Sequence, residues 1–362
     1  MINPKAIAKT SVHPKPICQL TVDGADITTT IQGRLIDLTL TDNRGFEADQ
    51  LDLRLDDTDG LLDLPPRGAE IRVALGWQAS GLVDKGIYTV DEVEHSGTPD
   101  TLTIRARSAD LRAGLTTQRE RSWHDLPLGD IITTLADEND LEPLIQATLA
   151  GQYIEHIDQT NESAVNLLTR LATQFDAIST VKNGKLLFIP AAGGVSASGI
   201  ALPAASITRE SGDQHRFSIA DRETYTGVKA TYHDTDAAVK GEVTWGKDEN
   251  ASESPDTSTI EPPIAASAES IKTLRHVYAN KTNALRAARA EWRKIQRGMA
   301  NFSITLARAR PELFPDIPVT VSGWKPAIDS TDWILTKVTH TLSDSGFTSA
   351  LELEIKATEV QD

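Results

Sequence analysis

The sequence predicts a mainly β protein of the α+β class, with two duplicated antiparallel β-barrel domains, an inserted α/β domain between them and one long helix in the C-terminal half. Three observations lead to this fold class. Apolar and polar residues alternate in short runs near both ends of the chain, which is typical of half-buried strands. These runs recur in the same order in both places. Between them, the apolar spacing changes to that of helices.

A repeat organises the chain. The first copy runs through QLDLRLDD (50–57), LPP (64–66), AEIRVALGW (69–77), IYTVDEVEH (87–95) and TLTIRARS (101–108). The second copy runs through NFSITLAR (301–308), LFP (313–315), IPVTVSGW (317–324), WILTKVTH (333–340) and ALELEIKA (350–357). Each copy has a strand that ends in Gly-Trp, at Trp77 and Trp324, and a Val-x-His strand end, at His95 and His340. This ordered recurrence favours duplication of one small antiparallel sheet or barrel over a chance likeness.

The chain between the copies predicts a compact α/β domain over residues 119–190. A helix is expected in LPLGDIITTLADEND, with an apolar face formed by Leu128, Ile131, Ile132 and Leu135. A second helix is expected in QTNESAVNLLTRLATQF, with Thr160 or Asn161 as its N-cap and an apolar face formed by Val165, Leu168, Leu171 and Ala172. The Asn183-Gly184 pair then predicts a tight hairpin turn between two apolar strands.

The remaining boundaries follow from composition. Residues 191–206 are rich in small residues and proline, which predicts a linker between a first β-domain over 1–118 and a second over 207–362. Within the second, residues 234–270 are strongly acidic and predict a solvated, mobile excursion. A helix is expected over 280–297, with Asn280 as its cap. Its predicted apolar stripe comprises Leu285, Ala288, Trp292 and Ile295. Its outer face comprises Arg286, Arg289, Arg293, Lys294 and Arg297, and two alternatives stay open for it: a solvated face, or a face that docks on an acidic neighbour.

Composition narrows the classes of function. The net charge of -16 argues against sequence-specific nucleic-acid binding, because a surface that neutralises phosphates needs a surplus of Lys and Arg. The same charge disfavours an anionic membrane surface, and no apolar run is long enough to predict insertion into a membrane. The N-terminal segment MINPKAIAKTSVHPKP lacks the apolar core of a secretory signal. Cys18 is the single cysteine, which fits assembly in a reducing cytoplasm.

The sequence contains no pattern that predicts catalysis. Its eight histidines show neither HExxH nor a close pair at metal-ligand spacing, and one cysteine cannot build a Cys-rich zinc site. The glycine-rich AAGGVSASG lacks the Lys-Ser/Thr ending of a phosphate loop, and no GxSxG elbow occurs. The carboxylates in 56–59 and 91–94 are expected in any acidic β-protein. We therefore predict no catalytic, cofactor-binding or metal-binding residues and no cofactor.

Five segments carry a resemblance to a known family: TLTDNRGFEADQLDLRLDD (39–57), VDEVEHSGTPDTLTIRARSADLR (90–112), SWHD (122–125), ITRESGDQHRFSIADRETYTGV (207–228) and WILTKVTHTLSDSGFTSALELE (333–354). In this order they resemble the late control D family of temperate contractile-tailed phages. The match covers most of the chain but not its first fifteen residues or residues 234–270. Residues 157–172 are similar, more loosely, to the hub portion of type VI secretion spike proteins.

The resemblance implies a baseplate hub, a homotrimer with two tube-type β-domains per chain. Its implied partners are a spike protein and the tail tube protein, with the tape measure and other baseplate proteins as further candidates. It implies a place in the virion, at the tail baseplate, after assembly in the host cytoplasm. Two alternatives stay open: a peptidoglycan-degrading tail enzyme, and the hub of a phage-like injection particle (tailocin).

The predicted duplication supplies a physical reason for such a role. The family's tail tube has six subunits per ring and its spike is a trimer, so a trimer with two similar domains per chain satisfies both symmetries. Trp77 and Trp324 are the candidate interface residues, because they end equivalent strands and are expected on the seam between domains. The alternative for both is ordinary packing in a core.

Overall fold

The alternating runs of the first third form strands with one buried and one polar side. The computed structural model describes residues 14–108, 113–182, 184–219, 225–234, 239–246 and 270–356. In β4, for example, the three leucines are buried and the residues between them are not. The elements of this part are β1 (Pro16–Val22), β2 (Ala25–Asp26), α1 (Thr28–Ile31), β3 (Leu35–Asn43), β4 (Gln50–Asp56), β5 (Glu70–Trp77), β6 (Gly81–Ser96) and β7 (Thr101–Ser108).

The middle of the chain alternates between helices and short strands around its own apolar core. The hairpin expected at 183–184 is confirmed, because β11 and β12 pair antiparallel on either side of it. The elements are α2 (Ala113–Thr116), β8 (Gln118–Pro127), α3 (Leu128–Asp137), β9 (Glu142–Ile145), α4 (Ala147–Ala150), β10 (Tyr153–Ser163), α5 (Ala164–Gln174), β11 (Ala177–Lys182) and β12 (Lys185–Pro190).

The two predicted helices of this part are present, with one correction. Helix α3 buries the four predicted apolar residues, Leu128, Ile131, Ile132 and Leu135. Helix α5 starts later than expected, since Ser163 is its N-cap and accepts a hydrogen bond from the Asn166 N–H at 3.3 Å. The predicted caps, Thr160 and Asn161, lie in β10, whose pairing with β8 continues to Ser163. The buried face consequently contains Leu167, while Val165 is only partly buried.

The C-terminal half contains two apolar cores. One belongs to the large sheet, and the smaller one lies between α6 and a three-stranded sheet of β15, β16 and β17. The predicted linker, 191–206, holds one isolated bridge between Val195 and Ala201 and ends in β13. The elements are β13 (Ala205–Thr208), a 3₁₀ turn (Arg209–Ser211), β14 (Gly212–Ile219), β15 (Gly227–Asp234), β16 (Val239–Gly246), β17 (Ile271–Tyr278), α6 (Lys281–Gly298), β18 (Ala300–Leu306), β19 (Pro318–Ser322), α7 (Pro326–Asp329), β20 (Trp333–Ser343) and β21 (Gly346–Ile355).

Part of the acidic stretch 234–270 is not an excursion. Residues 239–246 form strand β16, which pairs antiparallel with β15, so the prediction of a mobile loop is wrong there. The charged residues of this strand obscured its alternation of buried and exposed positions. Val243 is buried, whereas Glu242 is exposed and its carboxylate lies 3.1 Å from the Lys229 ammonium on β15. Residues 235–238 and 247–269 of the predicted excursion lie outside the described residues.

Helix α6 confirms the long helix expected over 280–297. It begins after Asn280, whose side chain accepts a hydrogen bond from the Asn283 N–H at 2.8 Å. Ala288 and Trp292 are buried as predicted. Leu285 and Ile295 are partly buried, and the remaining fully covered apolar positions are alanines at 284, 287 and 290. Small side chains let the helix lie close to its sheet.

The strands of the two halves follow the same order. Neighbouring strands run β3-β4-β7-β6-β5-β1 in the first half and β14-β18-β21-β20-β19-β13 in the second. They differ in one pairing, since β1 pairs antiparallel with β5 and β13 pairs parallel with β19. Two separate barrels were expected, but β20 also pairs with β3. Among the described residues, the backbone pairing therefore joins both halves into one 13-stranded sheet.

Candidate assembly surfaces

A seam of backbone hydrogen bonds joins the two halves of the chain. Strand β3 pairs antiparallel with the C-terminal part of β20, from Asp37 opposite Ser343 to Asn43 opposite Lys337. At its centre Leu40 lies opposite His340, and both side chains are fully buried. The seam thus has the burial expected of a protein interior.

Trp77, one of the two predicted interface residues, lies beside this seam. Its indole Nε1 donates a 2.8 Å hydrogen bond to the Ala309 carbonyl of the second half. Its ring centroid lies 5.3 Å from that of Phe347, in the β20–β21 hairpin. Trp77 also shares one apolar core with Ala309, Leu342 and Phe347. The structure therefore brings this residue into contact with the other half of the same chain.

Trp324, the other predicted interface residue, packs within the second half. Its ring lies 5.2 Å from Phe302 of β18 and 5.9 Å from His215 of β14, measured between centroids. The Trp324 Nε1 has no hydrogen-bond partner among the described residues. Trp77 is the last residue of β5, whereas Trp324 lies two residues after the end of β19, and the structure does not bring the two side chains together. Trp324 lies next to β14, at an edge of the large sheet.

The two Val-x-His histidines have opposite surroundings. His340 is fully buried, and its Nδ1 lies 2.8 Å from the Ser349 hydroxyl. Burial lowers the pKa of His340 from its ordinary value of 6.5 to about 3. The side chain of His95 is 41% exposed, with its Nε2 3.3 Å from an Asp57 carboxylate oxygen. Matching sequence positions are therefore covered in the second half and open in the first.

Burial of neutral His340 predicts a loss of stability in acid. The unfolded chain protonates this ring near pH 6.5 and the folded chain near pH 3, so its contribution is present above pH 6.5 and lost as the pH falls. For His340→Gln, we expect the unfolding free energy to fall less between pH 7 and pH 5 than in the wild type. The difference should be about 2 kcal/mol. Urea titrations at both pH values measure the unfolding free energy, and His95→Gln is the control at an exposed histidine. If the unfolding free energies of the wild type and His340→Gln fall equally between pH 7 and pH 5, the prediction is wrong.

Buried and partly buried ion pairs connect distant parts of the chain, and they are joined by a 3.7 Å contact between Arg297 Nε and a Glu354 carboxylate oxygen. The Arg297 guanidinium of α6 binds both Asp176 carboxylate oxygens, at 2.6 and 3.0 Å. Arg44, which follows β3, pairs with Asp316 at 2.7 Å and also with Glu354 of β21. Burial raises the pKa of Asp316, against the opposing effect of Arg44. The network therefore connects the first β-region, the α/β unit, α6 and the second β-region.

Of the two alternatives for the basic face of α6, these contacts contradict a fully solvated face and include docking on an acidic residue, Asp176. Arg297 is 8% exposed, Arg286 stacks 4.5 Å from the Phe175 ring centroid, and Arg289 lies 4.0 Å from that of Trp245. Of the five basic residues, Lys294 is exposed and Arg293 is partly exposed. Sequence reasoning could not identify the individual partners because they are distant in the chain; Asp176 precedes Arg297 by 121 residues.

The large sheet has open edges. In the first half, β6 pairs with β5 only as far as Thr89, although its pairing with β7 continues to Ser96. In the second half, β14 pairs with β18 alone among the described strands. Ile219, at the end of β14, is 66% exposed. Unpaired backbone groups beside exposed apolar side chains are typical of surfaces that accept another strand.

The part of the chain that the structure describes lacks both a membrane-spanning helix and a metal-binding cluster. No helix there combines the length and apolarity needed to cross a bilayer. In the same ranges, no group of three or more His, Cys, Asp or Glu side chains is placed to hold a metal ion.

Comparison with known proteins identifies the family. The model described as phage tail baseplate hub (GPD) matches residues 37–346. The chain belongs to the phage tail baseplate hub family. A probable baseplate hub protein of Escherichia phage 186 is 48% identical to this hub over 367 residues, which cover 96% of the hub and 94% of the relative. The family predicted from the sequence is thereby confirmed, and the hub is a baseplate protein of a phage tail.

Solved structures share the fold of the hub at low identity. A tail protein from Neisseria meningitidis MC58 has a TM-score of 0.67 and 15% identity, over 94% of the hub and 96% of that chain. An E. coli component of the type VI secretion system has a TM-score of 0.54 and 11% identity, over 90% of the hub and 74% of that chain. These likenesses concern the fold alone. They confirm the mainly β architecture and the expected similarity to type VI secretion proteins.

Proposed function

We propose that the hub is a homotrimer that joins the hexameric tail tube to the trimeric spike of a contractile phage tail. The observation that carries this proposal is the matching strand order of the two halves. We interpret the halves as two copies of one tube-type β-unit, within 1–118 and 207–362, separated by the α/β domain 119–190 and the linker 191–206. A trimer then presents six similar units to the tube and threefold symmetry to the spike.

The open edges of the sheet support the proposal. Closure of three chains into a ring would cover the unpaired strands, as the β3–β20 seam already does within one chain. The role is carried by surfaces and symmetry, without catalysis. The proposed partners are a spike protein, the tail tube protein, the tape measure and other baseplate proteins. The hub assembles in the host cytoplasm and remains in the virion at the baseplate.

Light scattering tests the proposal by measuring the mass of the purified hub, first alone and then mixed with its spike protein. We expect either a stable trimer, of three times the 39.2 kDa chain mass, or a monomer that becomes trimeric when the spike is added. Bovine serum albumin added in place of the spike controls for non-specific association. If the hub stays monomeric after the spike protein is added, or is a dimer in both samples, the proposed trimeric adapter is wrong.

A further inference from the structure

The seam inside one chain provides a template for the contact between chains. The inference about this contact rests on the proposed trimer. Six similar units in a ring need six similar seams, and three of these are the β3–β20 seams within the chains. The other three must join the second unit of one chain to the first unit of the next. The strands that correspond to β3 and β20 are β14 and β6, and within the described ranges both have an edge that no strand of the same chain pairs with.

The sheet registers assign the corresponding residues of β6 and β20. In the first half Leu53, Ile104 and Val93 lie side by side on β4, β7 and β6. In the second half Ile304, Leu351 and Val338 lie side by side on β18, β21 and β20. Both long strands also have a bulge just before this position, at 90–92 and 335–337. Val93 therefore corresponds to Val338, and His95 to His340.

The sheet registers also align β14 with β3. Leu40 lies opposite Leu51 of β4, and Phe217 lies opposite Phe302 of β18. Because Leu51 and Phe302 occupy corresponding places beside β7 and β21, Phe217 corresponds to Leu40. In the internal seam Leu40 lies opposite His340.

We infer that β14 of one chain pairs antiparallel with β6 of the next chain, with Phe217 opposite the partner's His95. The register that follows places Arg216 opposite the partner's Ser96, Ser218 opposite the partner's Glu94 and Ile219 opposite the partner's Val93.

Burial supports this pairing. Val338 and His340, which β3 covers, are 0% exposed. Their counterparts without a neighbouring strand are more accessible, since Val93 is partly buried and the His95 side chain is 41% exposed. The same holds on the other strand: Leu40 is 0% exposed, whereas Phe217 is only partly buried. The positions that a second copy would cover are thus the ones that one chain leaves open.

The side chains of the two edges are complementary in this register. Residues at alternate positions share a face, so Phe217 and Ile219 lie on the face of the partner's Val93. This face is largely apolar. On the other face Arg216 lies diagonally from the partner's Glu94, at a separation of about 7–8 Å that long side chains bridge. An apolar face and an opposite-charge pair therefore agree with the same register.

Disulfide trapping tests the register. Directly opposite residues on antiparallel strands have Cα atoms about 4.5–5.5 Å apart, which a disulfide accepts. We propose Ser218→Cys with Glu94→Cys, in a full-length hub in which Cys18 is replaced by Ser. Six strands separate β14 from β6 in the sheet of one chain, so we expect this disulfide to form between chains, whereas a disulfide within one chain would run as a monomer. After mild oxidation we expect covalent dimers and trimers on a non-reducing gel.

A register-shifted pair is the matched control. The control variant carries Arg216→Cys with Glu94→Cys. These two positions share a face but are two residues out of register, so we expect at least tenfold less cross-linked product than from the 218–94 pair. Light scattering of the reduced samples separates the possible failures. A trimer without a 218–94 cross-link would overturn the inferred pairing and leave the proposed function standing. A chain that stays monomeric with and without the spike would overturn both.

A single substitution tests the same surface without cross-linking. Ile219→Asp places a charge on the apolar face of the inferred contact, and the exposed position keeps the chain folded. We expect the trimer to dissociate at a protein concentration at least tenfold higher than that of the wild type. Ile200→Asp is the control, because Ile200 is 69% exposed and lies outside the strands. Equal dissociation of both variants would contradict the inference.

Discussion

Arg297→Met should lower the unfolding free energy of the hub by about 3–5 kcal/mol, because it leaves the Asp176 carboxylate buried without its charge partner. Both side chains are less than 10% exposed, and the guanidinium binds both carboxylate oxygens of Asp176. Methionine keeps much of the volume of the arginine stem, so the loss reports the charge rather than a cavity. Urea unfolding followed by circular dichroism measures the change.

Two further variants make this result specific. Arg293→Met removes a guanidinium that is 41% exposed and 4.0 Å from Asp176, and we expect a loss below about 1 kcal/mol. The double variant Arg297→Met with Asp176→Asn removes both charges and should recover a large part of the stability. If Arg293→Met is as destabilising as Arg297→Met, the buried pair is not the cause.

Trp77→Ala should also lower the unfolding free energy by about 3–5 kcal/mol, since it empties a site in the core shared by the two halves. Trp77→Phe separates the contributions, because it keeps most of the ring volume and removes the hydrogen bond to the Ala309 carbonyl. We expect it to cost about 1–2 kcal/mol. Urea unfolding at neutral pH measures both variants.

Trp324→Phe is the control for the hydrogen bond. Its Nε1 has no hydrogen-bond partner among the described residues, so the substitution breaks no such contact. We therefore expect a smaller loss than for Trp77→Phe. Equal losses would show that the Trp77 indole contributes by its size alone.

Local patterns were enough to predict many elements of the fold. Alternation located the strands of both halves, helical spacing located α3, α5 and α6, and Asn280 was correctly assigned as a cap. These features depend on neighbours a few residues away. The Gly-Trp and Val-x-His signals also located residues beside the seam, at Trp77 and His340.

Features that depend on distant parts of the chain were not predictable in the same way. The burial of Arg297 depends on Asp176, and that of Arg44 on Glu354, which is 310 residues away. A basic helix face has the same sequence pattern whether solvent or a carboxylate covers it. Strand β16 was missed because its outward positions are charged and only Val243 is buried. The continuous sheet follows from the β3–β20 pairing, for which no local signal exists.

The core shared by the two halves delays the folding of the first half until the end of synthesis. Ala309, Leu342 and Phe347 complete the apolar core of the first half, and β20 covers β3. The ribosome makes these residues about 300 positions after β3, so the N-terminal sheet leaves it with Leu40 and Trp77 still uncovered. Folding of the first half therefore finishes only when the last strands emerge. A prematurely terminated chain lacks the residues that bury its own N-terminal core. We therefore expect proteases to degrade such a chain before it is built into a baseplate.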